Sequence, residues 1–131
     1  MEILDKYSEE IKNDAHIDRF GLTDKQMALP GIKHKWVARL INHKEKLQKL
    51  KKIKKLSKIK IIKDLQNESN VTLSNVTLDK KADDNDNVKD VQNKIDQEEL
   101  IILYLEKVEN ILRTMSFDIK NLVELIRIEE T

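Results

Sequence analysis

Residues 44–63 read KEKLQKLKKIKKLSKIKIIK, twenty positions with ten lysines, one acid (Glu45) and no arginine, glycine or proline. Lys, Leu, Ile and Gln all suit a helix, and nothing in the run breaks one. From Ile32 to Leu65 there is likewise no Gly or Pro, so a single helix is expected there. At about 1.5 Å per residue it would measure about 50 Å. Its apolar positions Leu47, Leu50, Ile53, Leu56, Ile59, Ile62 and Leu65 recur every third residue. Three residues advance a helix by about 300°, so this row slips by about 60° at each step and circles the helix. A heptad seam would stay on one side. Successive turns are therefore expected to face different neighbours, as a multi-chain assembly would provide.

The wider stretch 33–63 holds thirteen of the 25 Lys and Arg residues and one acid, a formal charge of +12. The remaining hundred residues carry 12 basic against 23 acidic side chains, or −11, so the net +1 hides a polarised molecule. Such a block on a helical segment marks a polyanion binder, with nucleic acid the commonest target. Lysine meets phosphate as a point charge and does not read bases in bidentate fashion, so backbone binding with little sequence specificity is expected. Lysines three and four residues apart also repel by a few tenths of a kcal/mol per pair. The other reading is a solvated face whose partners are acids elsewhere in the chain. A membrane surface fits poorly, because the apolar residues do not gather on one face as an interfacial helix requires. The candidate nucleic-acid contacts are Lys49, Lys51, Lys52, Lys54, Lys55, Lys58, Lys60 and Lys63, with Lys35 and Arg39 near the helix start.

Composition points the same way. Charged residues make up 37% and aromatics 4% of 131 residues, with two Gly and one Pro, the profile of an all-α protein. The absence of cysteine excludes a disulfide scaffold, a thiol nucleophile and cysteine-ligated zinc, and fits a reducing cytosol. No apolar run reaches about 18 residues, and Asp5 and Lys6 interrupt the first apolar cluster, so neither a membrane span nor a signal peptide is expected. A soluble intracellular protein follows as the expectation.

One domain over 1–131 is expected, in four parts. The first is an N-terminal helical segment, 2–29, with Ile3, Leu4, Tyr7 and Ile11 on one stripe, a turn at Gly21 and a short helical turn from Thr23 that stops before Pro30. The pair Pro30-Gly31 marks a break before the long basic helix, 31–65. A polar and acidic loop follows over 66–88, where Ser69-Asn-Val-Thr-Leu and Ser74-Asn-Val-Thr-Leu form a tandem repeat. Its Val and Thr residues leave a small hairpin arm as the alternative to a loop. The two sequons in the repeat are chance matches without a secretory signal. The acidic run 79–87, tethered beside a basic helix, is a candidate competitor for the same lysines.

C-terminal helices are expected over 90–128, with a local interruption at Ser116. The cluster at 100–105 is apolar almost all round, too much for a helix covered on one side. Leu100, Leu103, Leu112, Ile119, Leu122, Val123 and Ile126 are read as the oligomerisation surface. Trp36, between Lys35 and Arg39, either stacks on an unpaired base or anchors the helix start against the N-terminal segment. His16 between Asp14 and Asp18 lacks the convergence of a metal site, and His34 and His43 sit among lysines. No phosphate loop, nucleophile–base pair or paired-carboxylate signature is present, so no active site, cofactor or metal is expected.

Three places carry a family likeness: Ile11-Lys-Asn-Asp14 followed by Ile17-Asp18 and Leu22; Lys35-Trp36 leading into the basic helix; and Phe117-Asp-Ile-Lys-Asn121 followed by Glu124. In these the chain resembles the UvsY-type recombination mediators of T4-like phages, in the same order over nearly its whole length. The polar insert from Glu68 to Asn87 departs from the family pattern. The resemblance implies a non-enzymatic protein of the host cytoplasm that assembles through its C-terminal region into a ring-like homo-oligomer of hexamer or heptamer size. It further implies binding to single-stranded DNA, contact with a single-strand-binding protein, and loading of a recombinase in recombination, repair and recombination-dependent replication. The family's DNA contacts are basic residues late in the long helix, here covered by Lys54, Lys55, Lys58, Lys60 and Lys63. The alternative is a helical scaffold protein whose basic helix pairs with acidic segments of neighbouring subunits.

Overall fold

The basic stretch lies inside a helix much longer than its own sequence requires. In the computed structural model, which describes residues 1–69 and 71–130, the elements are α1 (Glu2–Asp14), a 3-10 turn (Arg19–Gly21), α2 (Leu22–Glu68), α3 (Asn75–Asp83) and α4 (Asp86–Glu130). The protein is all-α, as its composition implied. Two compact units are built from these elements: Met1–Asn42 with α4 from Ile101 onward, and His43–Leu100. Asn70 of the first pentapeptide repeat lies outside the described residues.

In the first unit, α1 buries Tyr7 and Ile11 and half-buries Ile3 and Leu4, the stripe expected from the spacing. Tyr7 meets Trp36 edge-on, with ring centroids 5.6 Å apart and planes at 76°. Asp14 at the end of α1 accepts a 2.8 Å hydrogen bond from the Trp36 indole N–H. The Arg39 guanidinium lies 4.7 Å from the Trp36 ring centroid and 5.1 Å from that of Tyr7. Trp36 is only 2% exposed and its single donor is taken. Of the two readings of this residue the anchor holds; no base can stack on a face covered in this way.

The break expected at Pro30-Gly31 does not occur, since α2 runs through both residues. Proline in a helix interior removes one hydrogen bond and costs about 3 kcal/mol. Here Leu29 and Trp36, both 2% exposed, bury the helix on either side of the exposed Pro30. Burial of two large side chains offsets a cost of that size. Ser116 likewise leaves α4 continuous, with Met115 and Ile119 buried on both sides of it.

Four charged groups stitch α1 to α2. Glu10 pairs with Arg39 and, at 3.1 Å, with Lys35, which also reaches Asp14 at 2.6 Å. The hydrogen bond from Arg39 holds the Glu10 carboxyl below its ordinary 4.5; burial opposes this and Lys35 adds to it. For Lys35, burial pulls the ammonium down, but hydrogen bonds to Asp14 and Glu10 outweigh it and the group sits above its ordinary 10.5. A carboxyl lowered in the folded state contributes stability that is complete above its ordinary value and is lost as pH falls through the folded one. The melting temperature followed by circular dichroism should therefore drop on acidification below about pH 4.5. Glu10→Gln should be less stable at neutral pH, by about 1–3 kcal/mol, and its melting temperature should fall less on acidification. An acid slope identical to that of the unaltered protein would remove Glu10 from this account.

In the second unit, the segment read as a loop contains α3. Ser74 opens it, its Oγ accepting from the Thr77 backbone N–H at 3.1 Å, and the Asn85 side chain accepts from the N–H of Asn87 at 2.9 Å as α4 starts. Leu78 and Ala82, one turn apart, are 1% and 0% exposed. This apolar spacing outweighs the Asn and Asp content of the segment. A polar sequence folds here because two capping side chains satisfy helix ends and one small apolar face is buried. His43 and Glu98 are buried as a pair, Nδ1 to Oε2 2.7 Å, and Lys46 reaches the other Glu98 oxygen at 3.1 Å. Among the described residues no buried side-chain polar atom lacks a partner.

Candidate nucleic-acid interface

Ten lysines spread around a helix do not all face the same way, and the structure sorts them. At about 100° per residue, Leu47, Leu50, Lys54, Ser57, Lys58, Ile61 and Leu65 share the inward side of α2, and all are at least partly covered. Lys49, Lys52, Lys60 and Lys63 fall within about 80° of one another on the opposite side, and all are exposed. Ile53, Leu56 and Ile59, 50–57% exposed, lie among them. The apolar row therefore does circle the helix: its two ends turn inward and its middle emerges between lysines.

The inward-edge lysines have partners on neighbouring helices. Lys54 donates to the Gln92 side-chain oxygen at 2.6 Å, and Lys51 lies 3.9 Å from Glu99. Lys58 meets two carboxylates of α3, Asp79 at 2.7 Å and Asp83 at 2.8 Å, and its side chain is only 19% exposed. Hydrogen bonds donated to those two acids hold the Lys58 ammonium above its ordinary 10.5, and the hydrogen bond from Lys58 holds Asp83 below its ordinary 3.8. Lys49, Lys52, Lys55, Lys60 and Lys63 form no ion pair among the described residues.

Eight of the ten basic candidates thus lie together on α2 in the second unit. Lys35 and Arg39 belong to the first unit, where Glu10 and Asp14 already neutralise them. An open groove of about 370 Å³ runs along the inner edge, bounded by Lys51, Lys54, Lys55 and Lys58, with Asp79 at its margin. Sequence reasoning missed the division into paired and unpaired lysines. The signal was present as Asp79 and Asp83 one helical turn apart, but its meaning depended on α3 being a helix.

The residues read as an oligomerisation surface also divide. Leu112 and Ile119 are 1% and 4% exposed, so their apolar surface is already covered within one chain. Leu100, Leu103 and Val123 are exposed at 49%, 52% and 37%, and Leu122 and Ile126 are half-buried. Ile111, Phe117 and Leu125, which are not among the residues read as that surface, are exposed at 50%, 68% and 57%.

Asp14 and Asp18 point to tasks other than metal binding, one holding Lys35 and Trp36 and the other accepting from the Phe20 N–H at 3.1 Å. No helix among the described residues is long and apolar enough to cross a membrane.

No protein-family model matches the sequence, and none of the curated proteins does. Among solved structures the chain is similar to the bacteriophage T4 recombination mediator protein UvsY in several crystal lattices. For lattice type IV the TM-score is 0.83 at 15% identity, covering 96% of this chain and 98% of that one. For type II it is 0.80 at 16% identity over 98% of each chain, and for type I 0.79 at 14% over 93% and 97%. Over nearly its whole length this chain has the all-α fold of the T4 recombination mediator.

Proposed function

We propose that the protein is a recombination mediator that binds single-stranded DNA through α2, without chemistry of its own. The observation that carries this reading is the outer face of α2, where Lys49, Lys52, Lys60 and Lys63 stand exposed without an ion-pair partner among the described residues. Four ammonium groups on one face, in a fold shared with a phage recombination mediator, suit a phosphate backbone. The exposed Ile53, Leu56 and Ile59 give sugars and bases an apolar surface to lie on. Lysine and aliphatic side chains read no base edges, so binding is indifferent to sequence.

Assembly multiplies this modest site. Leu103, Ile111, Phe117 and Leu125 fall within about 120° on the side of α4 opposite its buried stripe, and further copies of the chain are the partners that cover them. Several basic helices held in one homo-oligomer then engage one strand together. Acting in the host cytoplasm, the assembly presents single-stranded DNA to the recombinase in competition with single-strand-binding protein, in recombination, repair and recombination-dependent replication.

A scaffold protein, whose basic helix pairs with acidic segments of neighbouring subunits, is the second reading; the carboxylate contacts that Lys46, Lys51 and Lys58 make within the chain are of the kind it would use. Fluorescence anisotropy of a labelled oligothymidylate across a salt series separates the two. A mediator should bind tightly at low salt, with log K falling by about 0.7 per phosphate contact for each decade of salt. Absence of binding at low salt would leave the scaffold.

A further inference from the structure

Building on the single-strand-binding reading, we infer that α3 is a built-in competitor for the inner phosphate site of α2: Asp79 and Asp83 occupy the Lys58 ammonium in the free chain, and a bound strand replaces them.

The geometry is specific. Asp79 and Asp83 are one helical turn apart, so both project from the same face of α3. Both reach the one Nζ, at 2.7 and 2.8 Å. An ammonium has three donors and these carboxylates fill two, so a phosphate that takes more than one displaces an acid. The groove beside them is lined by Lys51, Lys54 and Lys55 as well as Lys58 and is open along its length, with Asp79 at its margin. Two carboxylates on one ammonium leave an excess negative charge among these lysines, and the field of Lys54 also acts on Asp83.

A salt bridge whose only task was to dock α3 would need neither the second acid nor such exposed ones. The side chains of Asp79 and Asp83 are 58% and 48% exposed, and exposed ion pairs contribute little to stability. What docks α3 is the adjacent face, where Leu78 and Ala82 are fully buried, together with the Ser74 cap. The helix therefore stays in place while its two acids swing out to water. The exchange is a local movement of side chains.

The competitor also sets a threshold. Tethered carboxylates act at an effective concentration of roughly millimolar or more, so a lone phosphate or mononucleotide does not displace them. A strand already held by the outer lysines arrives at comparable effective concentration and does. The site thereby selects polymer over free nucleotide.

The test uses the full chain and a labelled oligothymidylate in a salt series. Asp79→Asn/Asp83→Asn keeps shape and removes the competing charge. Asp84→Asn/Asp90→Asn removes the same charge from residues that make no contact with Lys58 and serves as the control. The first variant should bind about tenfold tighter than the control at low salt. Its salt slope should be steeper by up to about 0.7, because in the native chain the acids released by the strand take up cations and offset the Lys58 phosphate contact. With free inorganic phosphate as competitor, the first variant alone should show a measurable loss of oligonucleotide binding at millimolar concentrations. Independently, Lys58→Ala in the native background should alter the slope by less than half as much as Lys60→Ala, because cations taken up by the released Asp79 and Asp83 offset the phosphate contact of Lys58. Equal affinities and slopes for the two Asn variants, or a Lys58→Ala effect as large as that of Lys60→Ala, would overturn the competition while leaving DNA binding by α2 intact. No binding by any form at low salt would instead overturn the functional reading beneath it, and the competitor with it. Helical content by circular dichroism confirms that each variant is folded.

Discussion

Replacing Lys49, Lys52, Lys60 and Lys63 together with alanine is expected to weaken single-strand binding roughly a thousandfold at low salt. Each exposed ammonium beside a phosphate contributes about 1 kcal/mol in a watery environment, and about 1.4 kcal/mol is a factor of ten. The log K against log salt slope should become shallower by about 2.8, four contacts at about 0.7 each. Folding should be spared, because all four side chains project into solvent and alanine is a better helix former than lysine. Removing the clustered positive charge also relieves repulsion along α2, so the melting temperature should hold or rise. A parallel variant at Lys35 and Arg39 should behave in the opposite way. It strands Glu10 and Asp14 and lowers the melting temperature, with little change in salt slope. If the outer-face variant bound with unchanged slope, the site would lie off α2.

The second large effect concerns the far end of the chain, which carries none of the proposed DNA contacts. Leu103→Gln/Ile111→Gln/Leu125→Gln should leave a folded protein, since each side chain is half exposed or more in the single chain. Sedimentation velocity should show the assembly replaced by smaller species. Affinity for a long oligothymidylate should then fall by about a hundredfold or more with every lysine in place, because linkage of sites raises avidity by roughly 10²–10⁴. Affinity for a short oligonucleotide that spans one α2 should change little. Leu112→Ala makes the contrast: a residue 1% exposed inside the chain should cost about 2–5 kcal/mol and unfold the unit it holds together. A triple variant that stayed fully assembled would move the interface away from this face of α4. One that dissociated yet kept full affinity for the long strand would end the multivalent account.

Much of this architecture is written in local patterns. The stripe Ile3, Leu4, Tyr7, Ile11 gives α1 because its spacing follows the helical period and its polar positions fall outside it. Residues 44–63 are helical because every residue type in them favours a helix and no glycine or proline intervenes. The charge block, the lack of cysteine and the low aromatic content likewise depend on nothing beyond composition, and so does the polyanion reading they support. Even the failure of the every-third-residue row to form one seam could be computed from the helix repeat, and the exposed middle of that row agrees.

Where one local signal opposed another, packing decided. Pro30 and Ser116 are interruptions only if a helix has nothing else to hold it, and large buried side chains on either side of each hold it. The tandem repeat makes the point most directly. The second Ser-Asn-Val-Thr-Leu copy opens α3 and buries its leucine, Leu78, at 1% exposure; in the first copy residues 71–73 are non-helical and Leu73 is half exposed. The Val-Thr-Leu of the two copies takes different structures because only the second is followed by helix formers and a surface that covers its leucine. Sequence by itself determined the all-α class, a helix over 32–65 and the concentration of lysine on it. The tertiary structure alone decided which lysines are free and which already hold an acid, and whether Trp36 faces solvent or core. Those properties depend on what another helix places within about 3 Å, a distance that spacing along one chain cannot supply.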